Sequence, residues 1–117
     1  MCSSDLDMVS KSANYCFTSI NSNIGYMLLS EVALGDMYEV ERAEYMDVAK
    51  KGYHSTKGCG KTEPSSSVTI NGVVVPNGVA GETKRKNSSL LYNEYIVYDV
   101  GQVNIKYMLQ MKFVYGR

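Results

Sequence analysis

From Val103 to Phe113 the chain alternates without a break. Val103, Ile105, Tyr107, Leu109, Met111 and Phe113 are interleaved with Gln102, Asn104, Lys106, Met108, Gln110 and Lys112. A period of two belongs to a strand with one covered face, so this stretch predicts a long, half-buried strand. Val68-Thr69-Ile70-Asn71-Gly72-Val73-Val74-Val75 predicts a hairpin. Asn-Gly between β-branched arms favours a type I′ turn. Pro76 is expected to end the second arm. Residues 77–87 contain glycine and charge and predict a mobile loop. Gly25 to Gly35 is a nearly continuous apolar run that predicts a buried strand, although its periodicity alone leaves a helix open. Met37 to Val40 reads as a short extension. Glu41 to Lys51 is charged with a weak helical pattern, and Thr18 to Asn23 is polar; both belong on the surface.

Ser89 to Asp99 is the stretch around which the rest is organised. It reads Ser-Leu-Leu-Tyr-Asn-Glu-Tyr-Ile-Val-Tyr-Asp, rich in aromatic and β-branched residues. Alternation puts Leu90, Tyr92, Glu94, Ile96 and Tyr98 on one face and Leu91, Asn93, Tyr95 and Val97 on the other. Both faces are largely apolar, which predicts a central strand covered on both sides. The short Asp99-Val100-Gly101 connection predicts antiparallel pairing with the strand that follows. Glu94 is then a carboxylate in the middle of a buried strand, a costly placement without a partner. The pattern leaves two readings. Glu94 is a structural residue, ion-paired or at the sheet rim, or it carries chemistry.

At the other end, Asp7 predicts an N-cap for a helix from Met8 to Cys16. Met8, Ser12 and Tyr15 fall on one face, with Lys11 adjoining. The pattern alone describes a short amphipathic helix with Tyr15 in the core. Ser55 to Thr62 approaches a phosphate-binding loop, but Ser55 stands where the first glycine belongs, and Thr62-Glu63-Pro64 cannot open a helix well. A nucleotide triphosphatase is therefore disfavoured, and a glycine-rich loop with Lys57 and Lys61 solvated is the expectation. His54 is the one histidine, and no ligand set surrounds it, so no metal site is expected.

Composition narrows the class further. The 117 residues suffice for one modest domain or part of one. Twelve basic side chains balance twelve acidic ones, so bulk charge gives no case for nucleic acid or a membrane surface. Lys84-Arg85-Lys86 is a short basic cluster suited to a solvated loop. Cys2, Cys16 and Cys59 make no metal-type pair, and with no signal peptide they point to reduced thiols inside the cell. No apolar run approaches the roughly 20 residues of a membrane helix. Ten tyrosines, no tryptophan and several β-branched runs favour an α+β, mostly β fold.

Four segments together resemble a known family. Leu90-Leu91-Tyr92-Asn93-Glu94-Tyr95-Ile96-Val97-Tyr98 is similar to the catalytic-glutamate strand of the poly(ADP-ribose) polymerases. Asp7-Met8-Val9-Ser10-Lys11-Ser12-Ala13-Asn14-Tyr15-Cys16 resembles that family's nicotinamide-site helix. Ser30-Glu31-Val32-Ala33-Leu34-Gly35 and His54-Ser55-Thr56-Lys57-Gly58-Cys59-Gly60-Lys61 follow in the family's order and spacing. The resemblance covers only the C-terminal part of that catalytic domain, assigned to residues 7–117. Residues 1–6 match nothing. Where the family has a Gly-x-Tyr-Phe-Ala-Asp strand, only Asp7 fits, and Ser4 stands in the place of the active-site tyrosine. This break suggests a truncated or alternative start.

The resemblance implies a partial ADP-ribosyltransferase fold, with packed antiparallel sheets and a short N-terminal helix. It implies NAD+ as substrate, nicotinamide as leaving group, and protein side chains or a growing ADP-ribose chain as acceptors. Glu94 would be catalytic. Ser12 would hydrogen-bond the nicotinamide carboxamide, Tyr15 would stack on its ring, Lys11 would line the same pocket, and Tyr92 would face the site. The 55–61 loop would border the acceptor side. No metal is implied. A nuclear location and a part in DNA repair are inherited from the family, with DNA reached only through domains outside this chain. The family's His-Gly pair and donor loop do not occur here. The isolated chain is accordingly expected to be poorly active or inactive, and a truncated, non-catalytic remnant is the alternative.

Overall fold

The computed structural model describes residues 3–116. In chain order the elements are β1 (Ser3–Leu6), α1 (Val9–Ala13), β2 (Ile24–Val32), β3 (Met37–Val40), β4 (Ser55–Gly58), β5 (Thr62–Ile70), β6 (Val73–Glu82), β7 (Glu94–Val97) and β8 (Val103–Lys112). One 3-10 turn, Val100–Gln102, precedes β8. The class is α+β and mostly β.

β7 is central, as its two apolar faces predict. It lies between β1 and β4, antiparallel to both, in a four-stranded sheet ordered β1-β7-β4-β3. The strand is shorter than the 90–98 expected. Residues 90 and 91 hydrogen-bond to the 61–62 backbone instead: Lys61 N–H donates to Leu90 O (3.0 Å) and Thr62 N–H to Leu91 O (2.9 Å). The β3–β4 pair is parallel, which departs from the all-antiparallel expectation.

β4 is the largest correction. Ser55–Gly58, expected as loop, is an interior strand, and Ser55 and Thr56 are 0% and 1% exposed. A hydropathy pattern cannot register a strand whose buried positions are hydroxyls. They are satisfied individually: Ser55 Oγ donates to Leu34 O (2.7 Å), and Thr56 Oγ1 shares a hydrogen bond with Tyr98 Oη (2.8 Å). Buried hydroxyls of this kind are tolerated because each has a partner.

β8 does not pair with β7. It pairs antiparallel with β2, from Ile24↔Lys112 to Val32↔Val103, with an irregularity at Leu29/Ser30. The 3-10 turn redirects the chain. Asp99 accepts from Gly101 N–H (2.8 Å), and Gln102 Oε1 accepts from the Asp99 and Tyr98 amides (3.0 and 3.2 Å). Gln102 Nε2 then donates to Ala33 O and His54 O, both at 3.0 Å, fastening the start of β8 beside the end of β2.

The hairpin forms as predicted, with Asn71 at φ 50° and Gly72 at φ 80°, the left-handed pair a type I′ turn needs. Its arms are longer than expected. Pro76 sits inside the ladder opposite Ser67, and strand continues to Glu82, so much of the expected loop is ordered. Proline is compatible with a two-stranded ribbon, where each strand is an edge. Glu41 to Lys51 lies largely on the surface as expected, without a helix.

α1 also differs. It spans five residues, and Met8, not Asp7, holds the N-cap position, without a side-chain cap. Asp7 is occupied elsewhere: its Oδ2 accepts from Asn93 Nδ2 and from Tyr95 Oη, both at 3.0 Å.

The β2–β8 ribbon is bare. On one face Leu29, Ile105, Tyr107 and Leu109 are 41–64% exposed, and on the other Tyr26, Leu28 and Met108 are 56–69% exposed. The expected half-buried strand therefore has no covering layer among the described residues. Accessible surface is 8529 Å², against about 6,300 Å² for a compact monomer of this mass. Apolar surface of this extent drives association. Sedimentation velocity of the isolated chain is expected to give a coefficient that rises with concentration. Leu28→Thr with Tyr107→Thr should flatten that rise, with stability changed by only about 0.5 kcal/mol. A concentration-independent monomer in the parent chain would contradict this.

Candidate active site

Glu94 opens β7, with Leu6 opposite it on one side and Gly58 on the other. A side chain at Gly58 would run into Leu90 and approach Glu94 Cβ, so glycine there keeps the flank of Glu94 clear. Lys11, from α1, brings Nζ to 4.0 Å from Glu94 Oε1. The two side chains are 27% and 31% exposed, enough for a ligand to reach them. Glu94 is therefore at the start of its strand and partly exposed, not in a buried middle, and the ammonium beside it comes from the helix carrying Ser12.

Ser12 is half-buried on α1. Tyr15 lies just beyond the C-cap Asn14, its amide bonded to Ser12 O at 3.1 Å. Its ring is 61% exposed, not in the core as the amphipathic pattern suggested. Tyr92 is half-buried, and its backbone bridges Thr62. Lys11 and Glu94 are therefore brought into contact, Tyr92 stands two residues before Glu94, and Ser12 and Tyr15 share the element that carries Lys11.

Gly60 fixes the approach to this strand. A methyl at Gly60 would overlap the Tyr92 backbone, so only glycine allows the 59–62 segment to lie along residues 90–93. Gly60 N–H donates to Asn93 Oδ1 at 2.8 Å. Ser88 Oγ reinforces the same segment from the other end, donating within 2.6 Å of Cys59 O and 2.9 Å of Glu41 O.

Asn93, the residue just before β7, is 2% exposed. Its Nδ2 donates to Asp7 and to Glu63 (3.1 Å), while Oδ1 takes the Gly60 amide. Tyr95, two residues on, donates to the same Asp7 oxygen. Burial, then the Asp7 charge and hydrogen bond, push the Tyr95 phenol well above its ordinary range. Neither Asn93 nor the second role of Asp7 was anticipated. The available signal was a single amide on an otherwise apolar strand face. An open hollow of about 370 Å³ is bordered by Lys57, Glu63, Arg85 and Asn93; Glu94 is not part of it.

Other candidate groups stand apart. His54 Nδ1 accepts the Asp36 amide at 2.9 Å and lies 3.9 Å from the Asp36 carboxylate. Cys16 and Cys59 are free thiols, and burial raises the Cys59 pKa; Cys2 lies outside the described residues. Among the described residues no group of three or more His, Cys, Asp or Glu could hold a metal ion, and no helix is long and apolar enough to cross a membrane.

Residues 6–113 match the family model described as the poly(ADP-ribose) polymerase catalytic domain. The chain belongs to that family. It is 56% identical over 111 residues to poly [ADP-ribose] polymerase 1 of Gallus gallus, covering 93% of this chain and 11% of the relative. Identity is 53% over 113 residues to poly [ADP-ribose] polymerase of Drosophila melanogaster, with 94% and 11% covered. For poly [ADP-ribose] polymerase 2 of Arabidopsis thaliana it is 50% over 113 residues, with 93% and 18% covered. The chain thus spans about a tenth to a fifth of the length of these relatives.

The raised Tyr95 phenol carries a pH signature. The unfolded phenol releases its proton near 10.0, whereas the folded one holds it to higher pH. Its contribution to stability is fully present below about 10 and is lost as pH rises above that value toward the folded pKa. Tyr95→Phe should flatten this alkaline limb in melts recorded from pH 8 to 11, while lowering stability near neutrality by about 1 kcal/mol. An unchanged alkaline limb would remove Tyr95 from the hydrogen bond.

Proposed function

We propose that this chain supplies the glutamate and the nicotinamide-side wall of an NAD+ ADP-ribosyltransferase. The Lys11–Glu94 approach supports the reading, because it brings a side chain of the helix bearing Ser12 and Tyr15 to within 4.0 Å of the carboxylate. Tyr15 stacks on the nicotinamide ring, and Ser12 hydrogen-bonds its carboxamide. Lys11 and Tyr92 line the pocket.

The reaction breaks the bond between nicotinamide nitrogen and ribose C1′, and nicotinamide leaves with the electron pair. Positive charge grows at C1′ and the ring oxygen. Glu94 faces that charge and stabilises it. An acceptor hydroxyl, on a protein or on the end of an ADP-ribose chain, then forms a bond to C1′, and Glu94 takes its proton. Lys11 stands at the edge of the same carboxylate, 4.0 Å from its Oε1. A nuclear setting, and contact with DNA through other domains, accompany this reading as inherited expectations. Residues 7–117 are assigned to the C-terminal part of the catalytic domain on the same basis.

A second reading, a truncated non-catalytic remnant, is favoured by Ser4. This residue of β1 pairs with Ile96, on the Glu94 side of the sheet, and brings no aromatic ring to the place where the family has its tyrosine. Incubation with labelled NAD+ and histone tests the second. The isolated chain is expected to turn over far below a complete catalytic domain; matching turnover would sink the remnant reading and the expectation of poor activity together.

Two further measurements address the residues. A benzamide-type ligand titrated into the folded chain should bind in the millimolar range or weaker, since one stack contributes about 1 kcal/mol. NMR shifts should centre on Ser12 and Tyr15, and shifts confined to a remote surface would contradict the assignment. In a polypeptide that also carries the family's His-Gly segment, Glu94→Gln should lower turnover about 100-fold or more. Ligand affinity should change little. Unchanged turnover at unchanged stability would return Glu94 to a structural role.

A further inference from the structure

Asp7 is held by two side chains that flank Glu94 in sequence. Asn93 Nδ2 and Tyr95 Oη both reach its Oδ2 at 3.0 Å. Asp7 immediately precedes Met8 and α1, so the helix carrying Lys11, Ser12 and Tyr15 hangs from the residues on either side of Glu94. The remaining oxygen of this carboxylate, Oδ1, is buried with no hydrogen-bond partner among the described residues. A buried carboxylate oxygen without a donor costs stability. The cluster is also crowded with like charge, because Asn93 Nδ2 serves Glu63 as well as Asp7. A stability role alone is poorly served by this arrangement. A geometric one is well served, because Asn93 just before β7 and Tyr95 within it both reach Asp7, the residue that leads into α1.

Resting on the reading of Glu94 and α1 above, we infer that Asn93 is a positioning residue. Through Asp7 it sets the distance between the nicotinamide-side helix and the Glu94 carboxylate, and through Gly60 it sets the segment packed on Tyr92. Its amide is suited to this because it offers both signs at once. Oδ1 accepts from the glycine segment, and each Nδ2 hydrogen goes to a different carboxylate. Aspartate at this position keeps the acceptor and loses the donors, placing a third carboxylate against Asp7 and Glu63. Tyr95 supports the same contact from the far side of Glu94.

A zero-length carbodiimide cross-link between Lys11 Nζ and Glu94 reads this distance directly in the full chain, with no ligand present. Mass spectrometry quantifies the Lys11–Glu94 peptide. Asn93→Asp is expected to cut its yield about tenfold, the size of one lost charge-assisted hydrogen bond. Asp7→Ala should do the same from the other partner, and it serves if Asn93→Asp does not fold. Asp7→Asn keeps an acceptor oxygen for both donors and should restore the yield. Ser55→Ala is the control, since Ser55 is equally buried but bonds to Leu34 O, outside the Asp7–Asn93–Gly60 contacts. It should lower the melting temperature and leave the cross-link unchanged. Equal yields in parent, Asn93→Asp and Asp7→Ala would overturn the positioning role, as would an equal loss in Ser55→Ala. Benzamide titration of the same proteins separates this from the functional reading. A parent chain that cross-links at Lys11–Glu94 but whose Ser12 and Tyr15 signals ignore the ligand refutes the nicotinamide assignment and leaves the positioning result standing.

Discussion

The Asn93 side chain is the constraint on which the rest of the sheet depends. A buried primary amide must place two donors and an acceptor, and here each has one fixed partner. Those partners belong to three separate parts of the chain: Asp7 before α1, Gly60 after β4, and Glu63 within β5. Local propensity could not assemble them, since they are 30 to 86 residues from Asn93 in sequence. One amide thus specifies the register of elements that share little apolar contact. Leaving any of these groups unpaired would cost more than the bond itself contributes, which makes the arrangement selective.

This explains how a sheet with so little oil in it holds a defined geometry. Val97 and Cys59 are its fully buried apolar side chains among the described residues, and Ser55, Thr56, Ser88 and Asn93 make up the buried polar set. Specific hydrogen bonds there take the place of the interlocking hydrocarbon found in most domains. The large apolar residues gather on the β2–β8 ribbon and the β5–β6 hairpin, where they meet solvent. Interior chemistry and surface chemistry are partly exchanged relative to a typical small domain.

The legible parts of the sequence were those with a local period or a turn signal. Asn71-Gly72 announced its hairpin because φ > 0 is required at both positions, and the alternation from Val103 announced β8. Partners were less legible. β8 turned to β2 because Gln102 bonds four ways around a 3-10 turn, a feature without hydropathic signature. β4 was invisible because its buried positions are hydroxyls, and Asp7 looked like a helix cap because capping and long-range acceptance draw on the same carboxylate. The family resemblance singled out Glu94 and Lys11, whose side chains the fold brings within 4.0 Å of each other. It did not reveal Asn93, whose importance lies wholly in non-local contacts.

The hydroxyl-lined centre has a thermal consequence. The heat capacity released on unfolding grows with newly wetted apolar surface and falls with newly wetted polar surface. A chain that buries Ser55, Thr56, Ser88 and Asn93 while the leucines and tyrosines of its β2–β8 ribbon already face water leaves little of the first and more of the second. Its stability curve is therefore broad and shallow, changing slowly with temperature, and the cold side of that curve falls away gently. Covering the ribbon with apolar surface would sharpen the curve, so the temperature response of this polypeptide reports on what lies against β2 and β8.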